Sequence, residues 1–266
     1  MTNAMRNSRI EKLHFNQVIN QIRDLPALPA IVHDLMKNIS PDETDIHVIT
    51  RKVSMDQALS AKTLQFANSS FYGLQSKVTT IQQAITLIGV NAVRHVVTAT
   101  ALTAYFPPNN CAGFDFFALW RHSVATAVCA RVLARHLHVN QDYAFTAGLL
   151  HDIGRLVLVT YFRSEYEAVI AYRNEHDCHW LIAEREVLGV DHVMAGDALA
   201  AHWNFSETIR HAIAGHHNPE QQTVRSLASI VHVADAIAHA LDLSHLENDL
   251  VPPISHVAWV GLDLSA

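Results

Sequence analysis

Seven ionisable side chains from residue 122 onward lie within or directly after apolar helical segments: His122, His151, Asp152, His192, His216, His217 and Asp235. His151 and Asp152 are adjacent and interrupt an apolar run between Leu149-Leu150 and Leu156-Val157-Leu158. Burying both is costly unless they coordinate or pair. Asp235 shares a helical stripe with Val231 and Ala238 inside Leu227 to Leu241, the most apolar helix of this half, so its carboxylate needs a counter-charge. His122 shares a stripe with Ala125, Cys129 and Leu133, and His192 aligns with Ala195, Gly196 and Leu199. His216 and His217 stand just before the Asn218-Pro219 stop. A single core histidine is ordinarily hydrogen-bonded to a carbonyl, and pairing with a histidine would account for Asp235 alone. Taken together, imidazoles and hard carboxylates arriving from several helices form a ligand set for one or two divalent transition-metal ions, Fe or Mn first and Zn next, ahead of Ca.

Histidine usage points to the same half. Four of the 19 histidines, His14, His33, His47 and His95, precede residue 110, and the other fifteen lie between His122 and His256. His136, His138, His176, His179, His202, His211, His232 and His239 need no metal and are expected mostly on exposed faces, with His202 and His211 the ones that could support a ligand from behind. A chain of 266 residues with 50% hydrophobic and 17% charged residues can bury a sizeable core and is no disordered regulator. The net charge of -6, with no Lys/Arg-rich run, disfavours non-specific nucleic-acid binding and attraction to anionic lipid. Cys111, Cys129 and Cys178 are far apart and form no CxxC pair, which points to reduced, cytoplasmic surroundings rather than a disulfide framework or zinc ribbon. Met1 to Glu11 lacks the apolar segment of a secretory signal, and no apolar run reaches the roughly 18 residues of a membrane helix, so a soluble protein is expected.

The elements that must position these side chains read as helices throughout. Leu25-Pro26-Ala27-Leu28-Pro29 is an extended lead-in to a short helix through Leu35 and Met36. Helices follow at about residues 43 to 53 and 56 to 67. Thr80 and Gln83 make a capping box, Gly89 is placed to end that helix, and Asn91 can cap the next. Phe106-Pro107-Pro108-Asn109-Asn110-Cys111-Ala112-Gly113 breaks the helical pattern and marks a boundary between lobes at 15–107 and 114–266. Beyond it, helices run from about Phe116 to His138, from Asn140 or Asp142 through His151-Asp152-Ile153-Gly154, from an Asp191 cap at His192, and from a Ser206 cap to near Gly215. Gly148 and Gly154 allow close backbone approach. The fold class is all-α, a helical bundle of two packed lobes. The N-terminal lobe holds no catalytic arrangement, and Asn68-Ser69-Ser70-Phe71-Tyr72-Gly73 reads first as a structural loop anchored by its two rings.

Several motifs in order carry a resemblance: Leu25-Pro26-Ala27-Leu28-Pro29, Met55-Asp56-Gln57-Ala58-Leu59, Ala67-Asn68-Ser69-Ser70-Phe71-Tyr72-Gly73, and Ile81-Gln82-Gln83-Ala84-Ile85-Thr86-Leu87-Ile88-Gly89. Over roughly residues 20 to 240 the chain resembles the HDOD domain family, bacterial relatives of the HD-superfamily metal-dependent phosphohydrolases that often accompany signalling proteins. The resemblance implies an HD-superfamily-like C-terminal lobe. His122, His151, Asp152 and Asp235 then resemble the one-metal core, with Asp152 able to bridge. His192 and His216 or His217 resemble the ligands of a second metal. Members of the family differ in how many of these they keep, and this chain has the full series.

The chemistry implied is phosphoester hydrolysis on a nucleotide or other phosphorylated small molecule, with Asp152 and Arg155 as the catalytic candidates. Arg155, one turn beyond His151, stands where many relatives have lysine, which keeps the charge but not its geometry. It reads equally as a solvated helix-surface arginine. The HD-GYP group follows its His-His pair with Gly-Tyr-Pro, whereas His217 here precedes Asn218-Pro219-Glu220, so cyclic di-GMP cleavage is not supported. Two functions remain in view. One is a metal-binding regulatory protein with phosphohydrolase activity; the other is a non-catalytic signal-transduction module with a structural or sensory metal and a signalling protein as partner. An open, water-bearing coordination position facing a cleft would favour the first.

Overall fold

The structure, a computed structural model, describes residues 12–28, 32–34, 46–68, 77–221, 225–245 and 250–264. The chain is all-α: 72% of the described residues are helical, in 14 α-helices, and none of them lies in a strand. In chain order these are α1 (Phe15–Arg23), α2 (Ile46–Met55), α3 (Gln57–Ala67), α4 (Ile81–Ile88), α5 (Val90–Tyr105), α6 (Phe116–His136), α7 (Gln141–Leu150), α8 (Ile153–Tyr161), α9 (Arg163–His176), α10 (Trp180–Leu188), α11 (His192–His202), α12 (Glu207–Gly215), α13 (Leu227–Ala240) and α14 (His256–Gly261). Leu35, Met36 and the Ser69 to Gly73 loop lie outside the described residues.

Most caps are those the side chains dictate. Asp56, Asn140, Asp191 and Ser206 each accept a backbone N–H from the first turn of the helix they open. Thr80 caps α4 by accepting the Gln83 N–H, but Gln83 reaches back to the Thr79 N–H instead of Thr80's own. Gly89, at φ +88°, turns the chain between α4 and α5, so α5 starts at Val90. Asn91 is therefore not a cap. It lies within α5 and donates to Asp142 at the start of α7.

The α2–α5 helices pack on one another, and α5 touches α7. The framework of the second half is α6 lying along α7 and α13, α8 against α11, and α12 between α11 and α13. One hydrophobic core runs through both halves, from Val18 and Ile22 of α1 through Val93 and Val97 of α5 to Leu158, Leu199 and Ile213. Although α1 precedes the expected boundary, it packs on α11 and α8. The segment after it is held from both sides, since Tyr105 donates to the Ala27 carbonyl while His202 and Trp203 donate to those of Leu25 and Pro26. A smaller core of Ala130, Ala134, Ala144, Ile230, Val233 and Ala234 joins α6, α7 and α13. Its small side chains let these three backbones come close, which is what a shared site between them requires.

Two glycines set the tightest contacts. A Cβ on Gly148 would stand 2.8 Å from the Ala127 Cα, so α7 meets α6 backbone to backbone. A Cβ on Gly154 would stand 1.9 Å from the His192 carbonyl oxygen, so α8 and the first turn of α11 touch without side chains between them. Among the described residues no single helix is long and apolar enough to cross a membrane; α4 and α5 reach that apolarity only jointly, across a 120° bend. All three cysteines are free.

Candidate metal centre

The helix expected to run unbroken through His151-Asp152 is interrupted there. α7 stops at Leu150 and α8 restarts at Ile153, with Asp152 at φ -98°, ψ 11° between them. The break turns both side chains inward, where a continuous helix would separate consecutive residues by about 100°. His122 reaches them from α6, although its inner face is Ser123, Thr126, Ala127, Ala130 and Ala134 and not the stripe through Ala125, Cys129 and Leu133. Asp235 comes from α13, His192 opens α11, and His216 and His217 follow α12 directly.

All seven expected side chains converge. His122 Nε2 lies 2.9 Å from Asp235 Oδ1 and 3.3 Å from His151 Nε2. His151 Nε2 lies 3.6 Å from Asp152 Oδ2 and 3.7 Å from Asp235 Oδ1. Asp152 turns its other oxygen the opposite way, 3.3 Å from His192 Nε2 and 3.8 Å from His216 Nε2. His192 Nε2 and His217 Nε2 are 3.0 Å apart. Both His216 and His217 thus face the centre. Six of the seven are buried and His217 is half-buried.

The donor atoms fit a cation. Three imidazoles have their Nδ1–H committed: His151 donates to the Gly148 carbonyl, His216 to the Ile213 carbonyl and His192 to Glu184. In the neutral form this tautomer leaves Nε2 as the lone-pair nitrogen of each ring, on the side that faces the carboxylates. Asp152 Oδ1 and His216 Nε2 are buried without a hydrogen-bond partner. Orphaned acceptors of this kind, with imidazole and carboxylate mixed, suit a first-row transition metal.

The electrostatics agree. Burial alone would raise the Asp152 carboxyl, but Arg155 and the imidazoles of His151 and His192 outweigh it and hold the group well below the ordinary carboxylate range. Asp235 is likewise held low against burial, by the imidazoles of His122, His239 and His151 around it. Burial, with neighbouring imidazoles, pushes His216 down to about 3 and His217 well below its ordinary value. These two are neutral and ready to ligate. His192 moves the other way, since Glu184 and Asp152 on either side overcome burial and raise it.

Glu184, in α10, is the functional group that sequence patterning misses. It is fully buried, accepts both the Nδ1–H and the backbone N–H of His192 at 2.6 and 2.8 Å, and accepts the Tyr166 hydroxyl at 2.9 Å. A carboxylate behind a ligating histidine raises its basicity and fixes its orientation, and removing such a partner costs about 10–100-fold in metal affinity. Glu184→Gln is expected to weaken binding of one ion by that factor in a metal titration of the folded chain. An unchanged isotherm would remove this role.

Arg155 is not a solvated surface arginine. It is buried, its Nη1 lies 3.2 Å from Asp152 Oδ2, and its guanidinium lies over the Trp180 ring, whose centroid is also 4.5 Å from the Arg173 guanidinium. These groups wall a cleft of about 170 Å³ that reaches His217, Asp235 and His239. His232 and His239 are not exposed either. His232 donates to the His216 carbonyl at 2.7 Å and accepts the Ser255 N–H, and so supports a ligand from behind. His202 instead serves Leu25, and His211 is exposed.

The HDOD domain profile matches residues 25–219. A solved HDOD domain protein of unknown function from Geobacter sulfurreducens superposes with a TM-score of 0.80 at 23% identity, covering 94% of this chain and 88% of that one. A Shewanella amazonensis protein described as "Putative phosphohydrolase" superposes with a TM-score of 0.71 at 25% identity, covering 93% of each chain. A ribonuclease Y of Thermoanaerobacter pseudethanolicus is 35% identical over 121 residues, which is 45% of this chain and 18% of that protein. The chain spans less than half the length of the curated relatives it matches.

Proposed function

This chain belongs to the HDOD domain family, and from that premise we propose that it binds two divalent transition-metal ions and hydrolyses a phosphoester of a nucleotide or other small molecule. The observation that carries the reading is a buried centre of inward-facing imidazole nitrogens and carboxylate oxygens at the end of an arginine-walled cleft. His122, His151 and Asp152, with Asp235 beside the first two, would hold one ion; Asp152, His192, His216 and His217 would hold the other. Iron or manganese suits this donor set first, with zinc next. A bound pair supplies a water of lowered pKa and neutralises charge on the phosphoryl oxygens.

The chain's own groups have separate tasks in this reading. Asp152 faces both ligand groups with different oxygens and so ties them together. Arg155, buried against Asp152 and the Trp180 face, would present its remaining N–H groups to a phosphoryl oxygen in the cleft. Glu184 holds His192 in the ligating tautomer. Burial of the ligands keeps bulk water from the centre except through the cleft. The relatives named for ribonuclease and phosphohydrolase activity are in keeping with phosphoester chemistry.

The test is metal analysis of protein expressed with added iron or manganese, followed by a panel of nucleotides and other phosphoesters. Near-stoichiometric metal and turnover of at least one phosphoester are expected. Metal-free protein from both cultures would overturn the proposal at its root. Metal without turnover would move the chain to the second reading, a signalling module with a structural or sensory metal, which is favoured by the near-complete burial of the ligands.

A further inference from the structure

One turn beyond Asp235 on α13, His239 turns its ring toward the same centre. Its Nε2 lies 3.3 Å from Asp235 Oδ1, and its ring centroid is 4.4 Å from that of His122. An i, i+4 carboxylate and imidazole lie on one helix face and can serve a single ion without backbone adjustment. His122, Asp235 and His239 offer donor atoms that all lie within 4.8 Å of one another. The His239 side chain is 8% exposed and lines the cleft beside Asp235 and His217, so it stands between solvent and the His122 end of the centre.

His122 and Asp235 are also the pair that faces His151, at 3.3 and 3.7 Å. Each of their donor atoms can make one strong bond to one ion, so an ion taken up by His122 and Asp235 is the ion within reach of His239. We propose that His239 is an eighth protein ligand, bound to that ion on its cleft side, and that an incoming phosphoryl or other anionic oxygen displaces it. The exchange breaks one imidazole–metal bond and makes one oxygen–metal bond, with no change of oxidation state. Two histidines and two carboxylates, one of them shared with the second ion, would still leave a divalent transition metal with positions open to exogenous oxygen ligands. His239 would close one of them at rest, making the two ends of the centre unequal in their affinity for anions. This inference rests on the metal-binding reading above.

The test uses the full chain loaded with Co(II), whose visible bands report the number and type of ligands. Wild type is compared with His239→Ala and with the shape-preserving His239→Gln, at matched circular dichroism. Both variants are expected to shift the bands. Inorganic phosphate, titrated against the same bands, should half-saturate them at a concentration roughly tenfold lower, a factor equivalent to about 1.4 kcal/mol. Superimposable bands, or equal phosphate affinity, in variants carrying as much cobalt as wild type would overturn the role of His239 and leave the metal reading standing. A wild type that binds no cobalt would overturn both.

Discussion

Asp152→Asn is expected to empty the centre of metal and to lower the melting temperature of the chelator-treated chain by on the order of 10 °C. The substitution keeps the shape and removes the charge. Asp152 Oδ1 serves His192 and His216 while Oδ2 faces His151 and Arg155, so one carboxylate connects both ligand groups to the buried guanidinium. An amide presents one weak oxygen ligand and an N–H₂ that opposes either a cation or Arg155. With Asp152 gone, the nearest carboxylate left to Arg155 is Glu184, at 3.9 Å. Breaking a buried pair by removing one partner costs about 3–5 kcal/mol, and for a chain of this size each kcal/mol is roughly 2–4 °C.

The sign with pH follows from the depressed Asp152 carboxyl. Its contribution is present in full above the unfolded value of 3.8 and is lost as pH falls through the lower folded value. The gap between wild type and variant is therefore complete at neutral pH. Metal analysis and thermal melts in chelator at pH 7 measure the two effects separately. A variant with wild-type metal content would sink the ligand assignment, whatever its stability.

Five of the convergent side chains, His122, His151, Asp152, His192 and Asp235, were legible because each is an ionisable group in an otherwise apolar helical stretch, where water cannot compensate it; His216 and His217 stand past the end of α12 and were legible through the ligand order that the resemblance implies. Glu184 was not. It sits in Ala183-Glu184-Arg185-Glu186, a string that reads as a solvated helix face, and only packing of α10 against α9 and the start of α11 buries it. His239 and His232 were hidden by the opposite effect, since they lie among fifteen histidines whose pattern does not say which face the cleft. The His151-Asp152 break escaped periodicity because Leu149-Leu150 and Leu156-Val157 continue the apolar run on either side of it. The break becomes intelligible once α8 is seen to be aligned by its contact with α11. In the first half, the Gly89 turn between α4 and α5 was half legible: the glycine marks the end of α4, but nothing local says that α5 begins at once and leaves Asn91 to bind Asp142 from a distance of 51 residues.

Gly154→Ala tests whether that α8–α11 contact sets the spacing of the second metal position. The added Cβ would lie 1.9 Å from the His192 carbonyl oxygen, 2.5 Å from the Gly196 nitrogen and 2.8 Å from the His192 carbonyl carbon. All three are backbone atoms, so no side chain can rotate away, and the helices must separate by roughly 1 Å or more to restore ordinary contact. Overpacking of this kind costs about 1–3 kcal/mol and more where backbone must move, which corresponds to roughly 6–12 °C at the upper end. The separation acts along the line from Asp152, just before α8, to His192, the first residue of α11, whose facing atoms are 3.3 Å apart. His122, His151 and Asp235 belong to α6, the end of α7 and α13, and stay in place. The expected result is a folded but less stable chain that retains one ion and has lost the other. Gly148→Ala pushes at the opposite end, where the added Cβ would be 2.8 Å from the Ala127 Cα and 3.0 Å from its nitrogen, and strains the contact between the His122 and His151 helices instead. Two ions retained in folded Gly154→Ala protein would mean that the second position tolerates the displaced His192, and that Glu184 and not the helix contact decides where that ring sits.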